Sequence, residues 1–171
     1  LDAAGTATLT TPILTADSTY TLVSVASNGT PNCSQTVLGS ALVSVIAAPA
    51  ASISGATTIC SGTTATVTFT GTPNATVTYT VDASPNQTII LDATGTATLT
   101  TPILTADSTY DLVSVESSGT PSCILPVTGS VTITVKAIPT ATIAGTTTIC
   151  SGTTTNITFT GTPDATVNFT V

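Results

Sequence analysis

Histidine, arginine, tryptophan and methionine are absent from the 171 residues, and lysine occurs once, at Lys136. Each absence closes a class of function. General acid–base catalysis near neutrality relies on histidine or on carboxylates paired so that their pKa values separate. Here seven aspartates and one glutamate are scattered singly along the chain. No Ser-His-Asp or Cys-His constellation, no zinc-binding His/Cys set and no Asp-x-Asp-x-Asp-Gly calcium loop can be assembled. The sequence therefore predicts no enzyme, no metal and no cofactor. One cation against a formal net charge of −7 argues against nucleic acid, because phosphate contacts depend on Lys and Arg. A polybasic membrane patch is missing for the same reason. The longest apolar run, Ala41 to Ala48, is broken by Ser44 and stopped by Pro49, far short of the roughly 20 residues of a membrane helix.

What is present is threonine, about a quarter of the residues, with valine and isoleucine. Their χ1 stiffness favours strands, and the strong helix formers are nearly missing. Alternation is clean. Ala65-Thr-Val-Thr-Phe-Thr places Ala65, Val67 and Phe69 on one face and threonines on the other, and Ala75 to Val81, Thr96 to Thr100 and Val131 to Val135 repeat the device. Period two with one apolar and one hydroxylated face means antiparallel strands covering a core on one side. Gly71-Thr-Pro73, Gly119-Thr-Pro121 and Gly161-Thr-Pro163 supply the turns between them.

The chain also repeats. Leu1-Asp-Ala-Ala-Gly-Thr-Ala-Thr-Leu-Thr returns as Leu91-Asp-Ala-Thr-Gly-Thr-Ala-Thr-Leu-Thr, and the register holds without a gap to Val171. Tyr20 maps onto Tyr110, Cys33 onto Cys123 and Cys60 onto Cys150, a period of ninety. That length suits a complete small β domain rather than one solenoid turn. Pro49 and Pro139 mark short, proline-containing linkers, which favour a stiff rod. They divide the chain into the tail of one module (1–48), a complete module (49–136) and the head of the next (137–171), with both ends of the chain falling inside a module.

Within 49–136 the pattern predicts seven strands at about 51–59, 64–70, 75–81, 87–91, 95–100, 109–116 and 130–136. Seven short strands in this length match an all-β, immunoglobulin-like sandwich, repeated in tandem. Asp107-Ser-Thr-Tyr110-Asp-Leu112, echoed by Asp17-Ser-Thr-Tyr20-Thr-Leu22, has the layout of a tyrosine corner, in which the phenol returns a hydrogen bond to upstream backbone. Strict alternation turns Val113 and Val115 away from Tyr110 and Leu112, which leaves an apolar outer face for coverage within the module or for lateral contact between filaments.

Cys33, Cys60, Cys123 and Cys150 lack Cys-x-x-Cys spacing and read as disulfide candidates of an extracellular or periplasmic protein. Three schemes compete. Cys60 with Cys123 staples one module. Cys33 with Cys60 and Cys123 with Cys150 closes loops across the linkers. The third joins neighbouring modules through cysteines outside the chain. Repeat logic favours the first, although sandwich topology sets its two sites at opposite ends, near 30 Å apart at about 3.3 Å per residue, against a Cα limit of about 7 Å.

Pro139-Thr-Ala-Thr-Ile-Ala-Gly-Thr-Thr-Thr-Ile-Cys150-Ser-Gly, Phe159-Thr-Gly-Thr-Pro, the Ser-Thr-Tyr-x-Leu-Val-Ser-Val strand and the final Cys before a Gly-Ser strand resemble the Ig-like repeats of giant Bacteroidetes surface proteins. Those include gliding-motility and attachment adhesins exported by the type IX system. The resemblance implies a secreted, cell-surface filament in which identical modules join end to end and hold a binding tip away from the envelope. It also implies Asp-Ser/Thr O-glycosylation, with Ser18 and Ser108 as the positions. A binding module whose own loops grip glycan or protein is the competing function, with the divergent stretch Ser34–Leu38 against Ile124–Thr128 as the place to look. Rows of Thr66, Thr68, Thr76 and Thr78 raise ice binding as a minor alternative, opposed by sheet twist.

Overall fold

The computed structural model describes all residues from Leu1 to Val171 and is all-β, 42% strand with no helix. Ahead of Pro49 lie β1 (Ser18–Thr21), β2 (Ser24–Ala26), β3 (Ser34–Thr36) and β4 (Ser40–Val43). The middle of the chain holds β5 (Ala51–Gly55), β6 (Thr58–Cys60), β7 (Thr66–Gly71), β8 (Thr76–Val81), β9 (Gln87–Ile90), β10 (Thr96–Thr100), β11 (Ser108–Glu116), β12 (Ile124–Pro126) and β13 (Ser130–Lys136). β14 (Ala141–Ala144) and β15 (Thr158–Gly161) follow Pro139.

Two sheets form the middle. One has the order β10-β7-β5; the other runs β6-β13-β11-β8-β9, with β12 added on β11. Both contribute to a single cluster of twelve buried residues, among them Val67 and Phe69 from β7, Val77 and Tyr79 from β8, Tyr110, Leu112 and Val115 from β11 and Ile133 from β13. Phe69 and Tyr79 meet across it with ring centroids 5.0 Å apart at 46°. Two sheets sharing one core are compatible with a β-sandwich. Burial follows the sequence alternation closely, as in β7, where Val67 and Phe69 are buried between exposed or half-buried threonines.

Three features depart from the strand pattern read in the sequence. The strand expected at 51–59 is two strands. β5 pairs antiparallel with β7, whereas β6 crosses to the other sheet and pairs parallel with β13. A short β12 appears where a loop was expected. The largest change is a bulge between Leu112 and Ser114, where the β11–β8 register shifts. The extra residue reverses the alternation, so Val115 enters the core fully buried and only Val113, 36% exposed, stays outside.

The turn between β7 and β8 is closed tightly. Thr72 accepts the Ala50 N–H on its hydroxyl at 2.9 Å and donates its own N–H to the Ala50 carbonyl at 2.9 Å. Gly71 beside it has no room for a side chain, because a Cβ there would overlap the Ala50 carbonyl. Ninety residues on, Thr162 and Thr140 repeat both bonds, and Gly161 the close approach. Asn74 and Asp164 occupy the same left-handed position in this turn and its repeat, with φ of 59° and 60°. Their short polar side chains tolerate that conformation better than most.

The flanking segments use the same pairings. β1 pairs with β4 as β11 does with β13, and β14 with β15 as β5 does with β7. Their apolar faces are open, however. Leu22 is 60% exposed where its counterpart Leu112 is 7%, and Phe159 is 37% exposed where Phe69 is fully buried. The strands that cover Leu112 and Phe69 have no counterparts packed on these segments.

Candidate functional site

The polar groups that converge most closely lie at the end of the middle sheets where β8 turns into β9. Asp82 and Ala83 both have positive φ, 50° and 57°. The Asp82 carboxylate accepts the Thr109 N–H at 2.7 Å and the Ser108 hydroxyl at 3.0 Å, while its backbone N–H donates to the Thr109 carbonyl at 2.9 Å. One residue away, Asp107 accepts the Val135 N–H at 2.7 Å. Beside these groups a depression of about 320 Å³ is lined by Val81, Asp82, Gln87, Leu99, Leu104, Ser108 and Tyr110, among others. Its carboxylate is that of Asp82, which accepts both the Thr109 N–H and the Ser108 hydroxyl. This arrangement fixes a corner.

Tyr110 is 2% exposed and central to the core. Its hydroxyl makes no hydrogen bond to upstream backbone, so that part of the tyrosine-corner expectation does not hold. The bond from strand to backbone at this corner comes from Asp107 instead. Asp17 does the same in the first copy, accepting the Val45 N–H at 2.7 Å, with the half-buried Tyr20 on the open face. The phenol that does find a partner is Tyr79, donating to Gln87 Oε1 at 3.1 Å, a contact the alternation alone did not reveal. Burial pushes the Tyr79 phenol up from its ordinary value, with Tyr110 adding a smaller effect.

Ser108 is 4% exposed and donates to Asp82. The folded unit therefore encloses the hydroxyl that the resemblance offers for glycosylation. Ser18, which lacks an Asp82 counterpart, is half-buried and donates only to the Ala16 carbonyl at 3.4 Å.

No two of the four cysteines are bridged to each other within these 171 residues, and the topology explains why. Cys60 faces Lys136 in the parallel β6–β13 ladder. Cys123 lies in the β11–β12 hairpin, beyond Glu116, where its carbonyl accepts the Ser117 N–H. The nine residues of β11 separate the two sites by about 30 Å at roughly 3.3 Å per residue, so the favoured Cys60–Cys123 bridge is ruled out. The pairing across linkers fails as well. Cys33, in the β2–β3 hairpin, sits at the end of its strands away from the linker, and Cys60 sits at the far end of the next strand set. By the same repeat geometry Cys123 and Cys150 are equally remote.

Thr66, Thr68 and Thr70 of β7 stand in register with Thr100, Thr98 and Thr96 of β10, and Ser54 and Ser52 of β5 complete the rows. Ser52 and Thr70 hydroxyls lie 2.8 Å apart, so part of this surface hydrogen-bonds to itself. No group of three or more His, Cys, Asp or Glu side chains converges anywhere, and no helix is long and apolar enough to cross a membrane.

No protein-family model and no curated protein matches the chain.

Proposed function

We propose that the chain is a stretch of spacer repeats from an extracellular filamentous adhesin, a tandem array of immunoglobulin-like units that holds a distal binding tip away from the cell. The observation that carries this reading is the recurrence of identical local bonds ninety residues apart. Asp17–Val45 and Asp107–Val135 are both 2.7 Å; Thr72–Ala50 and Thr162–Thr140 are both 2.9 Å. Ser27 and Ser117 hold the Cys33 and Cys123 amides in the same way, at 3.0 and 2.9 Å. Copies conserved in backbone clamps and core positions, with no polar cluster of their own, suit a part whose task is length. Nearly uncharged, hydroxyl-coated strands keep such a stalk wetted while leaving little to titrate.

The test is dimensional. Small-angle scattering on the chain extended by whole ninety-residue copies should show constant width and a length gain of roughly 40 Å per copy, the span of β11 and its turns at about 3.3 Å per residue. A particle that grows in all dimensions would refute the stalk.

A second reading draws on one observation. In the divergent stretch Ile124 is 63% and Leu125 37% exposed on β12, beside Val113. Exposed apolar side chains on an edge hairpin suit a glycan or protein contact. Binding on a glycan array that is lost with Ile124→Ser would favour it over the spacer.

A further inference from the structure

The cysteines occupy opposite ends of each unit, and the direction of the strands says which ends those are. β13 leaves the middle unit at Lys136, and Cys60 is its neighbour there. Cys123 is at the other end, with the start of β5. The first junction in this chain shows what this end meets. Gly119, in the same hairpin as Cys123, lies against the Ile46 side chain, whose Cδ1 would be 3.9 Å from a Cβ built on Gly119. Ile46 is the ninety-residue counterpart of Lys136, so the position beside it in a preceding copy is that of the Cys60 type. Cys123, in that hairpin, is half-buried.

We propose that every junction of the array is closed by a disulfide between the Cys60-type thiol of one copy and the Cys123-type thiol of the next. This rests on the tandem-array reading above. The two thiols then flank a contact of the Ile46–Gly119 kind, on strands and hairpins already brought together by a short proline linker. Within these 171 residues no cysteine has its partner: Cys33 and Cys123 need a copy that precedes their own, and Cys60 and Cys150 need the hairpin of a copy that follows. The bond forms by thiol–disulfide exchange with a disulfide oxidant, a dithiol oxidase or oxidised glutathione. Two thiols lose two protons and two electrons, Sγ joins Sγ, and the oxidant is reduced to its thiols.

The experiment extends the full chain at Val171 by one copy of residues 82–171, which supplies the missing hairpin for Cys60 alone. After refolding with oxidised and reduced glutathione, non-reducing peptide mapping should find one bridge, joining Cys60 to the appended copy of Cys123. Blocking with iodoacetamide should then miss those two thiols, and Cys60→Ser should restore labelling of the appended one. A Cys60–Cys123 bridge would overturn the proposal, as would Cys60 recovered as a thiol or glutathione adduct. Scattering on the reduced, extended chain separates the two readings. A rod without the bridge removes only the crosslink; a compact particle removes the stalk itself.

Discussion

The carboxylate of Asp107 accepts the N–H of Val135 at 2.7 Å, tying the start of β11 to the last residues of β13. Asp107→Ala leaves that N–H without its charged acceptor at an exposed corner, and hydrogen bonds in such settings are worth about 1 kcal/mol. Chemical denaturation should show a loss of that size with an unchanged m-value. Asp107→Asn, which keeps an acceptor, should recover part of it.

Thr101 presents a stronger case, because it is 3% exposed. Its hydroxyl accepts the Ala65 N–H at 2.9 Å and donates to the Pro102 carbonyl at 2.8 Å. Thr101→Val keeps the shape and strands a buried donor, so a loss of about 1–3 kcal/mol is expected. Thr101→Ser should stay close to the parent in the same denaturation series.

The two core phenols should respond differently to loss of the hydroxyl. Tyr79→Phe forfeits the bond to Gln87 and should cost on the order of 1 kcal/mol. Tyr110→Phe breaks no hydrogen bond and should change stability by less than about 0.5 kcal/mol. Equal effects in thermal melts would contradict this assignment of partners.

Acid should act through the Leu-Asp turns. Thr94 hydroxyl and the Thr96 and Thr94 amides hold Asp92 below its ordinary value of 3.8, and Thr6 does the same for Asp2. A lowered folded-state pKa gives stability that is present above the unfolded value and lost as pH falls through the folded one. Melting temperature should therefore hold steady from neutrality down to about pH 4 and fall below it. Asp92→Asn should lie under the parent at neutral pH and converge with it in acid; parallel curves would show that Asp92 does not supply this stability.

Much of the fold was legible because threonine and the aliphatic residues alternate so strictly. Val67, Phe69, Val77 and Tyr79 face the core just as period two places them. Val115 was misread for the same reason. A bulge is set by the fit between two strands, and nothing in Leu112-Val-Ser-Val115 announces it. The crossing from β5 to β6 was hidden likewise, since Gly55-Ala-Thr looks like strand but is where the chain changes sheets. The role of Asp82 is not legible in the sequence, because its partners Ser108 and Thr109 are 26 and 27 residues away. Among the cysteines, repeat logic points to Cys60–Cys123, whereas the strand polarity that a sandwich implies sets those two thiols at opposite ends, and the observed pairing of β6 with β13 agrees with the polarity.

The parallel pairing of β6 with β13 has a mechanical consequence. A pull applied through the two linkers draws β5 and β6 toward one end and β13 toward the other. The bonds between β6 and β13, including Thr134 N–H to Thr57 and Ser61 N–H to Lys136, are then loaded together in shear rather than peeled singly. Under such a pull the chain resists rupture at the very strands that pass the load onward.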